Sequence, residues 1–162
     1  MTDTKITQQF FEALPHANAL GIDICFVGEG KAEISMPYAE HLIGDPQTRV
    51  IAGGAVSALM DTCCGAAVMS HPDCNGATAT LDLRIDYMRP ATPGQQVRAL
   101  AECYHITRSV AFVRARAHDD DEDRPVAAAT GTFTVVGAPC SGNRQSQCKW
   151  SSKGATLRSR HL

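Results

Sequence analysis

The sequence has few aromatic residues and no strong excess of charge of either sign. Of its 162 residues, 6% are aromatic, and the formal net charge at pH 7 is −2. This balance gives no electrostatic reason to expect a nucleic acid or a membrane surface as partner. Apolar residues make up 44% and charged residues 20% of the chain, which is a globular composition. The length is sufficient for one domain with a substantial core.

The chain also lacks the pattern of a signal peptide or a membrane span. Residues 1–12 include three charged side chains and no apolar core of the kind that signal peptides contain. The apolar run 50–69 is long enough to raise the question of a membrane span. Two adjacent glycines and Asp61 lie within it, however, and argue against insertion. We therefore expect a cytoplasmic protein without a membrane partner.

The seven cysteines form an odd set without the spacing of metal ligands. Cys63 and Cys64 are adjacent within one predicted helix, and Cys140 and Cys148 are too far apart for a zinc knuckle. We expect reduced thiols that pack as small apolar side chains, and no metal or other cofactor. A cysteine nucleophile would need a paired histidine, which the sequence does not indicate.

Hydrophobic periodicity predicts one long helix between two groups of strands. The helix occupies residues 54–70 and is rich in glycine, alanine, serine and cysteine. The strongest strand pattern is 77–87, where apolar and polar residues alternate. An antiparallel sheet with a single long helix on one face, an α+β fold, is the expected architecture. The other predicted elements are a short helix over Thr4–Leu14 ended by Pro15, a loop over 38–51, and strands over 21–28, 31–37, 95–107, 110–118 and 125–136.

Two charged segments lie outside this pattern. The acidic run Asp119–Asp123 predicts a solvated hairpin tip, because like charges repel and face water. Residues 137–162 hold five basic and no acidic residues and show no apolar periodicity. They read as a disordered tail, either a passive extension or a segment that binds nucleic acid or acidic lipid. The expected organisation is one domain over 1–136 and a tail over 137–162.

Asp61 is the only charged residue between Arg49 and Asp73, within a helix that otherwise reads as buried. A buried carboxylate is costly unless it is partnered or neutralised, and such groups are commoner at functional sites than elsewhere. Asp61 is therefore a candidate functional residue. The alternatives are a side chain that faces outward and one that is hydrogen-bonded to a hydroxyl such as that of Ser57.

Motifs in the helix and the strands resemble a known family. The segment 53–61, Gly-Gly-Ala-Val-Ser-Ala-Leu-Met-Asp, is similar to the helix start of the PaaI-type acyl-CoA thioesterases, whose usual pattern is His-Gly-Gly, six residues, then Asp or Glu. The segment 81–91 resembles the third strand of that family, and 108–112 resembles the start of the next strand but one. Together these motifs cover residues 20–136. The resemblance implies the hot-dog fold, a curved antiparallel sheet wrapped around one long central helix.

The resemblance also implies an activity and further site residues. Family members hydrolyse acyl-CoA thioesters at a site between two subunits, so a homodimer or a dimer of dimers is expected. Thr80 matches the position of a Ser or Thr that orients the attacking water, although it also fits the polar face of an ordinary strand. Asp45 falls near the polar loop residue of the family. Arg89, Arg108 and Ser109 lie at turns, where they would hold a CoA phosphate or simply face solvent.

The chemistry of the helix can also be argued from its residues. The backbone N–H groups of Gly53 and Gly54 lie at the helix start, where donors are unsatisfied and the dipole favours negative charge. They would form an oxyanion hole for a thioester carbonyl under attack by water, although two glycines also suit close helix–sheet packing. Asp61 lies about two turns, or about 10 Å, beyond Gly54 on nearly the same side of the helix. It would act as a general base on water or as a nucleophile.

One position departs from the family pattern. Ala52 replaces the histidine that precedes the two glycines and helps to position the substrate carbonyl. His41 lies nearby in sequence as a possible substitute, although a loop histidine is more often simply solvated. Three functions stay open: hydrolysis of a medium-chain or aryl acyl-CoA, acyl-CoA binding without catalysis, and a hydratase or dehydratase reaction. The last would need a His–Asp or His–Glu pair, which the sequence does not indicate.

Overall fold

The computed structural model describes residues 14–135, in which eight strands surround one long helix. The elements, in chain order, are α1 Pro15–Ala19, β1 Asp23–Gly28, β2 Lys31–Met36, a 3-10 turn Glu40–Leu42, β3 Ile43–Asp45, β4 Val50–Ile51, α2 Gly53–Met69, β5 Thr80–Tyr87, β6 Val97–Ile106, β7 Val110–His118 and β8 Ala127–Thr134. The long helix ends at Met69 because His71 precedes a proline, and a residue in that position disfavours helical backbone angles.

Six of the strands form one antiparallel sheet in the order β1-β2-β6-β7-β8-β5. The helix α2 packs against this sheet and contacts all six strands. The short strands β3 and β4 form a separate hairpin that leads directly into α2. The predicted α+β hot-dog fold, with one main helix against an antiparallel sheet, is confirmed.

The strand β5 forms one edge of this sheet. It pairs with β8, from Thr80 opposite Phe133 to Tyr87 opposite Ala127, and no described strand pairs with its other side. Several apolar side chains on β5 or directly after it expose more than half of their surface: Leu81, Tyr87 and Met88. A strand edge with unpaired backbone groups is a template for pairing with another strand.

The core lies between α2 and the sheet and consists largely of small side chains. The alanines of β6 and β7 that face the helix are almost completely buried, which lets the sheet approach the helix closely. Larger buried side chains come from α2 and from the strands β2, β6, β7 and β8: Ile34, Met36, Val56, Leu59, Met60, Val68, Val97, Val113 and Phe133.

The two adjacent cysteines of α2 belong to this core. The Cys63 thiol lies 3.2 Å from the carbonyl oxygen of Ala99 and 3.5 Å from that of Ala32, so it bridges the helix to two strands. Burial raises the pKa of the Cys64 thiol to about 12 and the pKa of Cys63 well above its usual value. Both thiols stay protonated at neutral pH and lack the thiolate that a nucleophile needs. As predicted, they pack as small apolar side chains.

Pro15 occupies the first turn of the helix α1, where no N–H donor is needed. One local prediction is wrong. The segment 38–51 is not a plain loop, since it contains the 3-10 turn and the β3–β4 hairpin. Such short elements show no usable periodicity in a sequence. The predicted helix over Thr4–Leu14, apart from its last residue, and the predicted tail over 137–162 lie outside the described residues.

The acidic run 119–123 is not a solvated tip throughout, because the Asp119 side chain is completely buried. Its carboxylate accepts hydrogen bonds from the Arg89 guanidinium at 2.6 and 2.7 Å, and from the backbone N–H groups of Thr92 and Asp121. The bonds from Arg89 contribute most to holding the pKa of Asp119 well below its usual range. This ion pair ties the turn after β5 to the turn after β7.

Candidate active site

The first turn of α2 presents two unused backbone donors. Ala52 occupies the N-cap position, and its methyl group provides no side-chain acceptor for the helix start. The N–H groups of Ala55 and Val56 bond back to the Ala52 carbonyl. The N–H groups of Gly53 and Gly54 meet no acceptor among residues 14–135, and both glycines are exposed. An anion or a carbonyl oxygen placed there would find two donors and a favourable dipole.

Two hydroxyl groups surround the carbonyl oxygen of Gly53. The Tyr87 hydroxyl, at the end of β5, donates to this oxygen at 2.7 Å. The Ser57 hydroxyl lies 3.1 Å from the same oxygen and 2.5 Å from the Tyr87 hydroxyl. Sequence reasoning missed Tyr87 and considered Ser57 only as a partner of Asp61. The available signal was the position of Ser57 four residues after Gly53, one helical turn along the same face.

Asp61 is bonded to Thr80 of the same chain. The Thr80 hydroxyl, at the first residue of β5, donates to one Asp61 carboxylate oxygen at 2.7 Å. Asp61 is half-buried in the chain, and its hydroxyl partner is Thr80 and not the Ser57 that was considered from the sequence. The structure therefore brings together two of the predicted site residues. The second carboxylate oxygen of Asp61 accepts no hydrogen bond from a described residue.

The turn between β6 and β7 lies at the same end of the sheet as Thr80. The Val135 N–H donates to the Ser109 carbonyl oxygen, and the Thr134 N–H donates to the carbonyl oxygen of Ala79, directly before β5. The side chains of Arg108 and Ser109 are exposed and make no hydrogen bond within the described part of the chain. Their side-chain donors are accordingly available to a ligand.

An apolar cavity of about 340 Å³ opens beside the start of α2. Gly53 and Tyr87 form part of its wall, next to the hydroxyl groups described above. This volume lies at the low end of the range for small-molecule sites. The remaining wall is mostly apolar and comes from β4, α2, the turn after β5, and the start of β8: Val50, Ile51, Val56, Met88, Arg89, Pro90, Ala91 and Val126.

Two of the predicted binding residues have partners within the chain. The Arg89 guanidinium is bound to Asp119 and also donates to the carbonyl oxygens of Pro90 and Arg124. Its expected role as a phosphate ligand is therefore not supported, because four of its five N–H donors already have acceptors within the chain. Asp45 accepts hydrogen bonds from the Thr48 hydroxyl and the Gln47 N–H, which lower its pKa and close the hairpin turn.

The position of the missing histidine is crowded by the neighbouring hairpin. A Cβ atom on Gly44 would lie 2.8 Å from the Ala52 Cα, so only glycine permits this approach of β3 to the helix start. His41 does not replace the missing side chain, since its Nε2 atom lies 2.9 Å from the carbonyl oxygen of Ala19 in α1.

Comparisons with known proteins identify the family. The model of the thioesterase superfamily matches residues 49–126, which include α2 and the strands β5 to β7. A structure from Pseudomonas aeruginosa is 40% identical, has a TM-score of 0.71, and is aligned over 82% of this chain and 98% of its own. The comparison with curated proteins gives no match. The chain belongs to the thioesterase superfamily.

Two further structures connect the chain to PaaI proteins. A mutant form of the phenylacetic acid degradation protein PaaI from Thermus thermophilus is 26% identical, with a TM-score of 0.67, and covers 76% of this chain and 100% of its own. The E. coli PaaI protein from the phenylacetic acid degradation operon is 24% identical, with a TM-score of 0.73 and coverages of 82% and 92%. The latter similarity concerns the fold alone. The resemblance to PaaI-type thioesterases found in the sequence is confirmed.

Within residues 14–135, no three His, Cys, Asp or Glu side chains lie together as metal ligands would. No helix in the same range has the length and apolar character needed to cross a bilayer.

Proposed function

We propose that the chain hydrolyses acyl-CoA thioesters to a free acid and CoA. The observation that carries this proposal is the open start of α2, where the N–H groups of Gly53 and Gly54 are free beside an apolar cavity. Membership of the thioesterase superfamily supports the reaction type. The resemblance of the helix and strand motifs to PaaI-type acyl-CoA thioesterases supports a CoA ester as the substrate.

In the proposed mechanism, the thioester carbonyl oxygen accepts hydrogen bonds from Gly53 and Gly54. Negative charge develops on this oxygen as water attacks the carbonyl carbon, and the two donors stabilise it. Asp61 takes one proton from the attacking water through its unbonded carboxylate oxygen. Its other carboxylate oxygen accepts the hydrogen bond from the Thr80 hydroxyl, which keeps the side chain oriented. The C–S bond then breaks, and the CoA sulfur leaves with the proton returned by Asp61. A nucleophilic Asp61 would instead displace CoA and form an anhydride, and water that attacks the Asp61 carbonyl of this anhydride would leave labelled oxygen in Asp61.

We propose that the active unit is a dimer in which the oxyanion donors and the base come from different subunits. Along one helix, Gly54 and Asp61 are separated by about 10 Å. A path from the Gly54 N–H to the Asp61 carboxylate runs through the thioester carbonyl and the attacking water. It consists of a hydrogen bond, the C=O bond, an attack distance of about 3 Å and a second hydrogen bond, and it spans the gap only if these are nearly collinear. Water, however, attacks a carbonyl at a steep angle to the C=O bond. The unpaired edge of β5, with its exposed Leu81 and Met88, supports pairing with a second copy. A dimer of dimers is compatible with the same unit.

We propose that the cavity beside Gly53 takes the acyl group. Its apolar wall fits a medium-chain or aryl group, and its volume of about 340 Å³ sets a limit on size. The phenylacetic acid context named for two relatives favours the aryl group. Arg108 and Ser109, at the Asp61 end of the sheet, are the proposed contacts for a CoA phosphate, because their side-chain donors are free.

The experiment that tests this function is thiol release from a panel of acyl-CoA esters, including phenylacetyl, benzoyl and straight-chain acyl groups. Thiol release supports hydrolysis, and a turnover that is highest for acyl groups of one particular size supports the proposed acyl cavity. Ala52 favours a second candidate, an acyl-CoA-binding module without catalysis, because the helix start lacks a polar side chain. Tight binding by calorimetry without thiol release would select that candidate. The proposed location is cytoplasmic, since free thiols such as the five described ones persist in reducing compartments.

A further inference from the structure

We propose that Tyr87 and Ser57 are positioning residues that strengthen the Gly54 N–H donor through the peptide bond between Gly53 and Gly54. The inference rests on the proposed thioester hydrolysis and adds two residues to its site. The carbonyl oxygen of Gly53 and the N–H group of Gly54 belong to one peptide unit. A hydrogen bond accepted at one end of that unit therefore changes the donor strength at the other end.

The contacts determine which hydroxyl hydrogen points where. Three oxygen atoms lie within hydrogen-bonding distance: 2.7 Å from Tyr87 to the Gly53 carbonyl, 3.1 Å from Ser57 to that carbonyl, and 2.5 Å between the hydroxyls. Each hydroxyl has one hydrogen, so only two of the three oxygen–oxygen contacts are hydrogen bonds at any one time. The 2.5 Å contact requires a hydrogen between the two hydroxyl oxygens, because without one their lone pairs would repel.

The carbonyl itself selects between the two remaining arrangements. In the α-helix, the Ser57 N–H already donates to the Gly53 carbonyl oxygen, which leaves one lone pair. Tyr87 makes the shorter of the two hydroxyl contacts with this oxygen, so it takes that lone pair. The Ser57 hydroxyl then donates to the Tyr87 oxygen. The result is a directed chain from the Ser57 hydroxyl to the Tyr87 hydroxyl, to the Gly53 carbonyl, and through the peptide to the Gly54 N–H.

Each link in such a chain strengthens the next one. A hydroxyl that accepts a hydrogen bond becomes a better donor, and a carbonyl that accepts one increases the positive charge on the N–H of its own peptide. At a helix start without a side-chain cap, the Gly54 N–H has no other described group that polarises it. The chain would thus supply part of the polarity that the helix start lacks at Ala52.

The surroundings of Tyr87 indicate that its hydroxyl is not there for packing. In the single chain the residue is 51% exposed at the sheet edge, so its two hydroxyl contacts are not needed to satisfy a polar group that the chain itself buries. Its ring lies against the helix start, and a Cβ atom on Gly53 would be 3.5 Å from it. Phenylalanine would retain this ring contact and remove only the hydrogen bonds.

The test compares Tyr87→Phe and Ser57→Ala with the matched control Tyr104→Phe, an equally exposed tyrosine on β6. Since a whole oxyanion donor contributes about 10²–10³ in rate, a weakened donor should lower kcat by about tenfold in Tyr87→Phe, with KM within about twofold. Ser57→Ala should cause a smaller loss. In Tyr87→Phe the Ser57 hydroxyl, 3.1 Å away, becomes the side-chain donor to the Gly53 carbonyl, so the double variant should have a lower kcat than Tyr87→Phe, and the loss caused by Ser57→Ala should be larger there than in the wild type. Tyr104→Phe should match the wild type.

A spectroscopic measurement separates this effect from a change in structure. A thioester bound to the inactive Asp61→Asn variant should show a lower carbonyl stretching frequency than in water, and adding Tyr87→Phe should raise that frequency without lowering the melting temperature. If the wild type is active, and folded Tyr87→Phe has an unchanged kcat and an unchanged carbonyl frequency, this inference is overturned and the proposed function stands. Additive losses in the double variant overturn the order of the chain. A wild type that hydrolyses no acyl-CoA overturns the proposed function, and this inference with it.

Discussion

The Thr80 hydroxyl donates a 2.7 Å hydrogen bond to the Asp61 carboxylate and so joins the middle of the long helix to the first residue of the edge strand. This bond orients a charged side chain whose other oxygen is unbonded within the described residues. An oriented carboxylate at a strand edge is suited to remove a proton from water that is held between two subunits. It also gives a reason for the isolated charge in an otherwise apolar helix.

Replacing Asp61 by asparagine should abolish most of the turnover and leave the fold intact. Asparagine keeps the acceptor for Thr80 but cannot take a proton, so kcat should fall by about 10²–10⁴-fold. The free energy of unfolding should change by less than about 0.5 kcal/mol, because the side chain is only half-buried. Steady-state kinetics and thermal melting measure both effects. The control is Asp82→Asn on β5, the strand that carries Thr80. A folded Asp61→Asn with full activity would exclude Asp61 as the base.

Replacing Gly54 by proline removes one proposed oxyanion donor. Proline is tolerated in the first turn of a helix, where its missing N–H leaves no intrahelical bond unmade. We expect kcat to fall by about 10²–10³-fold, with little change in melting temperature. Gly54→Ala is the matched control because it keeps the N–H group, and its Cβ would point into open space. If alanine and proline reduced kcat equally, bulk and not the donor would be the cause.

Mixing the Gly54→Pro and Asp61→Asn variants tests the shared site. If the donors and the base of one site come from different subunits, a mixed dimer has one intact site and one doubly altered site. Random reassociation of equal amounts should then restore about a quarter of wild-type activity. The measurement is thiol release after denaturation and joint refolding, with each variant refolded alone as control. No recovery in a sample shown to contain mixed dimers would place both groups in one chain.

Introducing histidine at Ala52 should raise kcat. The side chain would add a polar group near the carbonyl that Gly53 and Gly54 bind. Because one such donor contributes about 10²–10³-fold at other oxyanion holes, a gain of about tenfold is a moderate expectation. The effect on KM should be smaller, since the gain lies mainly in the transition state. Ala52→Phe adds similar bulk without polarity and serves as control. An unchanged kcat in folded Ala52→His would mean that Gly44 and its hairpin have closed this space.

The ion pair between Arg89 and Asp119 should matter for stability and not for turnover. Removing one partner of a buried pair costs about 3–5 kcal/mol, and Asp119→Asn should fall near the lower end because Arg89 keeps some contact with solvent. Asp121→Asn, which breaks an exposed pair with Arg124, should cost less than about 1 kcal/mol. Denaturant unfolding measures both. A folded Asp119→Asn protein with a raised KM for CoA esters would instead favour a binding role for Arg89.

The same pair predicts the sign of the acid response. The pKa of Asp119 is lower in the folded than in the unfolded chain, so its contribution is complete above about pH 5. As the pH falls through about 4, the unfolded state binds a proton that the folded state does not, and stability is lost. The unfolding free energy of Asp119→Asn should therefore depend less steeply on pH below about 4. Equal slopes in variant and wild type would show that Asp119 does not contribute.

The sequence was sufficient to predict the main elements because their patterns are local. The predicted strand 110–118 has the observed bounds, and the predicted long helix begins one residue late and ends one residue late. Periodic segments of this length report directly on which side of an element faces the core. The β3–β4 hairpin was missed because two or three residues carry no period.

Asp61, Gly53 and Gly54 could be chosen from the sequence because one isolated charge and two glycines in an apolar helix are visible without a structure. Thr80 was chosen too, from the family resemblance, but its hydrogen bond to Asp61 and the contacts of Tyr87 and Asp119 could not be predicted, because the residues that meet come from segments distant in the chain. Asp61 meets Thr80 across 19 positions, Gly53 meets Tyr87 across 34, and Arg89 meets Asp119 across 30. The composition and order of residues thus determined which helix would carry the chemistry. Only the pairing of strands around that helix decided which hydroxyls and charges face it, since hydrogen bonds depend on distances that folding alone creates.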